Sequence, residues 1–333
     1  MRRDLIVYRA AVAAASCAVF LAGWIGFAAN LAAQTVHELK SPAPIDRIVA
    51  TDDGVFALAG SRWLRLSDCH AAPGFCLEAA AAPRLPDPAP RDALPDGRIA
   101  AAASGDIRSA WYGRPTTRYA HGVLGDAIEG GSLVVVDTSG RSHEHVLLDH
   151  QVFEDITPRI ADLDGDGRNE VITIRASATG GAGVTIYGLT GGVLALRGEG
   201  SENGRANRWL NIAGLMEQDD GGLTIYGVRT PHIGGRLFAL EFADGQITEH
   251  NDIALDVSNH LIGSRELGLS AIGQFGGRLE LVLPSQDRSR LRFPLSGRPD
   301  IALPGPIDKA IALIDGRVVT ATESGALIVV DPG

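Results

Sequence analysis

The chain contains 333 residues, of which 41 are Gly, 17 are Pro and three are Cys, and its formal net charge is −10. A hydrophobic content of 45% excludes a wholly disordered chain, because disorder requires low hydrophobicity. Three cysteines are too few for a disulfide-rich miniprotein or a cysteine-based metal cluster. The acidic balance argues against non-specific nucleic-acid binding, which depends on Lys and Arg that neutralise phosphates.

The first 33 residues predict a membrane anchor or a signal segment. Residues 10–33 are almost entirely apolar, and about 20 apolar residues suffice to cross a bilayer. Arg2, Arg3 and Arg9 precede this run, which orients the N-terminus to the cytoplasm and residues 34–333 to the periplasm or exterior. We favour an uncleaved transmembrane helix in the cytoplasmic membrane. Signal cleavage followed by secretion is the alternative.

Both interpretations place Cys69 and Cys76 in an oxidising compartment, where disulfides persist. The two cysteines bracket a short segment with Pro73-Gly74 at its centre, and Pro-Gly favours a turn. The spacing predicts a disulfide that closes a short loop.

Residues 34–333 predict one all-β domain made of repeated four-stranded units. The clearest unit is 155–200, in which short β-rich runs alternate with tight turns rich in Gly and Asp. An internal repeat of about 45 residues is typical of propellers and solenoids. Further units are predicted at 45–77, 98–148, 209–250 and 267–303.

The end of the chain predicts how the units close into a ring. Residues 311–330 supply only three strands, and Thr35–Leu39 could supply the fourth. Such pairing would leave no exposed sheet edge and gives a β-propeller of six four-stranded blades. Seven blades are the alternative if the insertion at 113–130 carries strands of its own, and a stacked β-sandwich pair is a further one. The Pro-rich residues 80–97 are expected to form a surface excursion.

Residues 162–170 contain the clearest chemical motif, Asp-Leu-Asp-Gly-Asp-Gly-Arg-Asn-Glu. Asp162, Asp164 and Asp166 alternate with residues that include two glycines, which let the chain curl around an ion. Together with Glu170 and the carbonyl of Arg168 they offer hard oxygen ligands that suit Ca²⁺. An EF-hand is excluded because its position 12 is Thr173, and because the residues that follow the loop predict a strand.

Residues 160–171 resemble the FG-GAP/VCBS repeat proteins, which are β-propellers related to the head of integrin α subunits. The resemblance covers one unit well and implies that Asp162, Asp164, Asp166, Arg168 and Glu170 bind one Ca²⁺ on a face of the propeller. We expect this ion to be structural, since all five oxygens would hold the turn.

Polar and aromatic side chains near the predicted junctions between units are candidate ligand-binding residues. If they precede the first strands of units, they would converge on one end of a central channel. Pairing between units, with no ligand, is the competing interpretation. The candidates are Trp111, Arg118, Tyr119, His121, Arg159, Arg208, Trp209, Asn211, His232, His260, Arg265 and Glu266.

Motifs for an activated nucleophile, a zinc protease or a phosphate-binding loop are missing from the sequence. His143 and His145 share a strand face and could bind a transition metal, although an exposed strand is the better interpretation. We therefore expect an envelope binding or scaffolding module for a protein partner or, less favoured, a glycan, with no catalytic residues assigned. A propeller hydrolase or lyase with its site on the channel axis is the alternative, and a purely structural propeller is a third.

Overall fold

A computed structural model describes residues 34–218 and 221–333, and these residues contain β-strands but no α-helix. The predicted all-β fold class is therefore confirmed for this part of the chain, which is built from several sheets. The predicted membrane segment, residues 1–33, lies outside the described residues. Within the described ranges, no helix has the length and apolar character needed to span a membrane.

The first strand, β1 (Thr35–Leu39), is separated in the chain from the sheet with which it pairs. The next four strands form an antiparallel sheet in chain order, each strand hydrogen-bonded to the next. These strands are β2 (Ile45–Thr51), β3 (Gly54–Ala59), β4 (Arg62–Asp68) and β5 (Phe75–Ala79). Cys69 and Cys76 are joined by a disulfide across the β4–β5 hairpin, with their Cα atoms 5.7 Å apart.

The predicted units 98–148 and 155–200 form one nine-stranded sheet. Its first meander contains β6 (Ala100–Ala101), β7 (Ile107–Thr116), β8 (Glu129–Asp137) and β9 (Ser142–Val146). The short strand β10 (Gln151–Phe153) then pairs with β8 and with a strand of the second meander. The second meander contains β11 (Arg159–Ala161), β12 (Glu170–Ser177), β13 (Gly181–Thr190) and β14 (Val193–Glu199).

The predicted insertion at 113–130 is shorter in the structure, because β7 and β8 extend into both of its ends. The connection between them, residues 117–128, contains no strand. The condition for a seventh unit is therefore not met in this segment.

The last three sheets are four-stranded and antiparallel. Strands β15 (Leu210–Glu217), β16 (Leu223–Arg229), β17 (Arg236–Ala243) and β18 (Gln246–Leu255) form one of them. Another contains β19 (Ala271–Phe275), β20 (Arg278–Pro284), β21 (Arg290–Arg292) and β22 (Ile301–Ala302). The final sheet combines β23 (Ala312–Ile314), β24 (Arg317–Ala321) and β25 (Leu327–Asp331) with β1.

The predicted pairing between the two ends of the domain is confirmed. Strand β1 runs antiparallel to β25, with Thr35 opposite Asp331 and Leu39 opposite Leu327. The pairing gives the edge of β25 a hydrogen-bonded neighbour, so this edge is not open to pairing with another chain.

Clusters of buried apolar side chains pack neighbouring sheets together. One cluster joins the β2–β5 sheet to the last sheet and includes Phe75 and Val329. Others join the nine-stranded sheet to β15–β18, β15–β18 to β19–β22, and β19–β22 to the last sheet. A further cluster lies within the nine-stranded sheet, around Tyr112 and Tyr187. Burying such side chains contributes roughly 1.5–3 kcal/mol each.

Most of the Pro-rich residues 80–97 are exposed or half-buried, and the buried ones lie near the end of the segment. Ala93 and Leu94 are buried, and the Leu94 N–H donates to the carbonyl of Tyr112 at 3.1 Å. Pro88 forms an isolated bridge with Arg98. The segment therefore packs against the nine-stranded sheet, because its few apolar residues find a place in that core.

Candidate functional site

The aspartate loop, residues 162–170, connects β11 to β12, so the predicted strand–loop–strand arrangement is present. Carboxylate oxygens of Asp162, Asp164 and Asp166 all lie within 4.8 Å of one another. Gly165 and Gly167 have φ angles of 72° and 85°, a left-handed conformation that suits glycine. The loop thus turns three carboxylates toward one point.

Backbone N–H groups hold the loop in shape. Asp162 Oδ2 accepts from the Gly167 N–H at 2.9 Å, and Asp166 Oδ1 accepts from the Arg168 N–H at 2.8 Å. The second oxygen of Asp162 is buried and has no hydrogen-bond partner among the described residues. Such an orphaned carboxylate oxygen fits a cation ligand, because a buried polar atom without a partner is costly.

Glu170 is fully buried and lies outside the group of three clustered aspartates. Its Oε2 accepts from the Leu163 N–H at 3.1 Å, while Oε1 has no hydrogen bond and lies 3.8 Å from the Arg197 guanidinium. Burial raises the pKa of Glu170 to about 7. The side chain of Arg168 turns away from the aspartates, toward the carbonyl of Leu189 and the carboxylate of Asp106.

A larger cavity, here called the arginine cavity, has a volume of about 680 Å³. Four separate stretches of chain line it, and each lies at or just before the first strand of a meander. The stretches are Asp46–Arg47, 85–98, 156–159 and 264–268. The volume falls within the range of pockets that bind small molecules.

Four arginines line the cavity, although the chain as a whole is acidic. Arg159 pairs with the buried carboxylate of Asp155, and Arg265 pairs with Asp96 and Asp126. Among the described residues, neither Arg47 nor Arg98 forms an ion pair with a carboxylate; Arg98 donates to the Pro86 carbonyl at 3.3 Å. Two guanidinium groups therefore keep most of their donors for a ligand.

Glu266 is the third predicted residue in the arginine cavity, beside Arg159 and Arg265. Its carboxylate accepts from the Gly268 N–H at 2.8 Å, so it fixes the loop that enters β19. Burial raises the pKa of Glu266, and the nearby positive charges of Arg47 and Lys309 act in the opposite direction.

A second, smaller site is the histidine pocket, about 70 Å³ in volume, which four of the predicted residues line. They are His121, Arg208, Trp209 and His232. His260 lies directly behind the pocket, with its Nδ1 2.7 Å from Nε2 of His232. The indole of Trp209 stacks parallel to the His232 ring with centroids 5.9 Å apart.

Buried acids lie beside the histidine pocket. Nδ1 of His121 contacts Glu154 Oε1 at 2.5 Å, and the Trp209 indole N–H donates to the Glu154 carbonyl at 2.9 Å. Burial raises the pKa of Glu154. Burial, together with the negative charges of Glu154 and Asp126, raises the pKa of the neighbouring Glu129 to about 9.

The remaining four candidate residues are not part of the lining of either site. Arg118 donates to the Gln151 carbonyl at 2.8 Å, and the Tyr119 hydroxyl accepts from the Asn207 N–H at 2.7 Å. The buried amide of Asn211 donates to the carbonyls of Asn259 and Leu267, each at 3.2 Å. Trp111 lies in β7 opposite Val134. These contacts hold strands and loops together.

His143 and His145 contact different neighbours. The His143 ring contacts Asp137 at 2.8 Å, whereas the His145 ring packs against Tyr187.

Sequence reasoning missed Arg47, Arg98, Asp96 and Glu154. Arg98 precedes β6 and Arg47 lies early in β2, so the position that selected Arg159 also applies to them. Glu154 carries no such signal, because its burial depends on the packing of β10.

No family model and no curated protein matches the chain. Among solved structures, the chain is similar to BamB from Moraxella catarrhalis, a crystal structure, with 13% sequence identity and a TM-score of 0.27. The match covers 90% of this chain and 98% of that one. At this identity and score, nothing about the function of this chain follows from the similarity.

Proposed function

We propose that residues 34–333 form a six-bladed β-propeller of the FG-GAP/VCBS kind that acts as a binding or scaffolding module for a protein partner. The strand order supports six blades. Four sheets have four strands each, and the nine-stranded sheet contains two meanders, β6–β9 and β11–β14, linked by β10. The pairing of β1 with β25 supports a closed ring.

The proposed binding function rests mainly on the arginine cavity. Residues from four stretches of chain meet there, and Arg47 and Arg98 keep donors free among the described residues. Guanidinium groups bind carboxylates through paired, charge-assisted hydrogen bonds. The occupant is therefore an acidic segment of a protein partner.

A glycan is the less favoured occupant. The lining of the arginine cavity consists of charged, aliphatic and small polar residues, without an aromatic ring on which a sugar could stack. The histidine pocket does contain Trp209, but a volume of about 70 Å³ is too small for a sugar ring.

The aspartate loop binds one structural Ca²⁺ in this proposal. Asp162, Asp164 and Asp166 supply the first carboxylate oxygens. The Arg168 carbonyl and Oε1 of Glu170, which accepts no hydrogen bond, complete the set. All donors are oxygens in a flexible loop, which is the donor set that Ca²⁺ takes.

The domain lies outside the cytoplasm, held at the membrane by residues 1–33 or secreted after their cleavage. The disulfide between Cys69 and Cys76 supports this location, because disulfides persist in oxidising compartments.

A titration with a fluorescent oligoglutamate peptide tests the binding function. The full-length chain should bind it, and the double variant Arg47→Gln, Arg98→Gln should bind at least about tenfold more weakly, since each charge-assisted contact contributes roughly 1.5–3 kcal/mol. The matched control is Arg62→Gln, Arg278→Gln, which removes two exposed arginines from β4 and β20. Equal binding by both double variants, or preference for a neutral oligosaccharide, would refute the proposal.

An axial hydrolase or lyase is the second candidate function, and the His121–Glu154 contact favours it. A buried carboxylate that fixes one imidazole nitrogen leaves the other available as a general base. Turnover of ester, phosphoester or glycoside substrates that is lost in His121→Gln would support an enzyme. Turnover that survives this substitution would exclude this site as its source.

A further inference from the structure

Two further cavities lie in a row with the arginine cavity along β6 and β11, the first strands of two successive meanders. The nearer one, here called the alanine groove, has a volume of about 460 Å³ and shares 85–86, Thr157 and Arg159 with the arginine cavity. The farther one, here called the acidic cavity, has a volume of about 430 Å³ and shares Ala101 and Ile160 with the alanine groove. The arginine cavity is therefore one end of a longer row.

The order of the three cavities follows the direction of both strands. Along β6, the lining advances from Arg98 in the arginine cavity through 99–101 in the alanine groove to 101–104 in the acidic cavity. Along β11 it advances in the same order, from Thr157 to Asp162 in the aspartate loop. A strand rises about 3.3 Å per residue, so this stretch of β11 spans about 16 Å and matches about five residues of an extended chain.

Small and apolar residues form most of the alanine groove. Besides the shared residues, its lining contains the apolar Ile99, Ala100, Ala101 and Ile160, and the exposed Arg84 and Asp87, whose charges cancel. The short alanine side chains leave room for the side chains of a ligand. Ile99, Ala100 and Ile160 are only half-buried, so an apolar ligand would remove apolar surface from water.

The two ends of the row have opposite charge. Arg47 and Arg98 line the arginine cavity and, within the described part of the chain, pair with no carboxylate. Asp162 and Glu217 line the acidic cavity. A Ca²⁺ ion in the aspartate loop would offset two of the three aspartate charges, so this end stays acidic. A segment that is acidic throughout would be attracted at one end and repelled at the other.

We propose that the occupant of the arginine cavity is an extended polypeptide segment that continues along the whole row. Its acidic end pairs with Arg47 and Arg98, its apolar side chains fill the alanine groove, and an uncharged or basic end lies at the acidic cavity. This inference rests on the binding function proposed above and specifies the sequence of the partner segment. Backbone and side chains of an extended chain suit a long, narrow row of cavities better than a compact small molecule does.

The first test compares three fluorescent peptides of equal length on the full-length chain with saturating Ca²⁺. The graded peptide has two glutamates at one end, four apolar residues and a lysine at the other end. The rearranged peptide has the same residues with the charged ones in the centre, and the third is oligoglutamate. The graded peptide should bind at least about tenfold more tightly than either, because it alone fits both charges and the apolar groove. A graded peptide that binds no more tightly than the rearranged one would overturn the inference.

The second test closes the junction between the alanine groove and the acidic cavity. Ala101 lines both and is exposed in β6, so Ala101→Phe should fill the junction without unfolding the chain. It should weaken binding of the graded peptide at least about tenfold and leave oligoglutamate binding unchanged. Ala302→Phe is the matched control, because Ala302 is exposed at the same position of another two-residue strand, β22. Equal binding of the graded peptide by the two variants would contradict an occupant of the alanine groove.

This inference and the proposed binding function fail in different ways. If the arginine double variant Arg47→Gln, Arg98→Gln weakens oligoglutamate binding but the graded peptide gains nothing over the rearranged one, the arginine cavity remains a binding site and the extended occupant is wrong. If the double variant binds oligoglutamate as the wild type does, the binding function itself is wrong.

Discussion

The aspartate loop and the histidine pocket each bring several polar side chains together, but the chain assembles them in different ways. The carboxylates of the loop lie within nine consecutive residues, and backbone N–H groups of the same loop orient them. The imidazoles at the pocket come from His121, His232 and His260, which only tertiary packing brings together. The loop therefore depends on local conformation, whereas the pocket depends on packing between sheets.

The largest effect is expected from a substitution that disrupts the histidine pocket and leaves the aspartate loop unchanged. Trp209 is buried against the histidines, and its indole N–H is bonded to the Glu154 carbonyl. Trp209→Ala should lower the free energy of unfolding by about 4 kcal/mol, because it leaves a cavity and an unpaired buried carbonyl. Denaturant unfolding measures this loss. A change below about 1 kcal/mol, the level of ordinary surface substitutions, would show that the pocket is not held by packing.

The next largest effect is expected from deletion of residues 34–40, which should lower the stability of the domain without affecting the aspartate loop. The deletion removes β1 and its backbone hydrogen bonds to β25, each of which contributes about 1 kcal/mol, for a loss on the order of 3 kcal/mol. The cavity residue Arg47 lies in the sheet that packs against the last sheet, so oligoglutamate binding should also weaken. The calcium response of the aspartate loop, in another sheet, should remain. A truncated protein that melts like the full chain would contradict a ring closed by this strand.

Removal of carboxylates from the aspartate loop should abolish the calcium response and leave binding at the arginine cavity unchanged. Ca²⁺ at 100 times its dissociation constant should stabilise the wild-type chain by about 2.7 kcal/mol, through binding to the folded state only. Asp162→Ala with Asp164→Ala should abolish this stabilisation and leave oligoglutamate binding intact. Asp52→Ala with Asp53→Ala, in the exposed β2–β3 turn, is the control. Melting curves with and without Ca²⁺ measure this stabilisation. A calcium-dependent rise in melting temperature that survives the loop substitution would refute the proposed calcium site.

The smallest effect concerns the buried acids beside the histidine pocket. The pKa of Glu129 is raised to about 9, so between pH 6 and pH 8 the folded chain keeps a proton that the unfolded chain has lost. Stability should therefore fall as pH rises, by on the order of 2 kcal/mol across this range. Glu129→Gln should flatten the dependence, whereas Glu241→Gln, an exposed acid on β17, should not. Chemical denaturation at several pH values measures this pH dependence of stability. Identical slopes of stability against pH in the two variants would contradict a protonated Glu129.

Much of the fold follows from the sequence because strand alternation and Gly-rich turns are local signals. The units at 45–77 and 209–250 correspond to sheets, and the missing fourth strand at the C-terminus correctly predicts the pairing of Thr35–Leu39. Strand β10, which fuses two predicted units into one sheet, has three residues and is too short to show an alternating pattern. The packing of Ala93 and Leu94 could not be predicted, because a Pro-rich composition gives no signal for two buried side chains.

Some residues of the candidate sites can likewise be recognised from the sequence, and others cannot. Asp162, Asp164 and Asp166 can be recognised because their spacing alone defines the turn. Arg159, Arg265 and Glu266 lie at or just before the first strand of a meander and line one cavity, whereas the other candidate residues lie elsewhere. The contact between His232 and His260 could not be predicted, since it depends on how two loops from different sheets meet.

The most direct test of a binding module is to ask what touches the arginine cavity in the cell. A photo-crosslinking amino acid at Thr157, in the cavity lining, is compared with the same residue at Thr248, exposed on β18. A binding module predicts a covalent adduct with another polypeptide from position 157 and none from position 248. Adducts from position 248 alone, or from neither position, would contradict a protein partner in the arginine cavity.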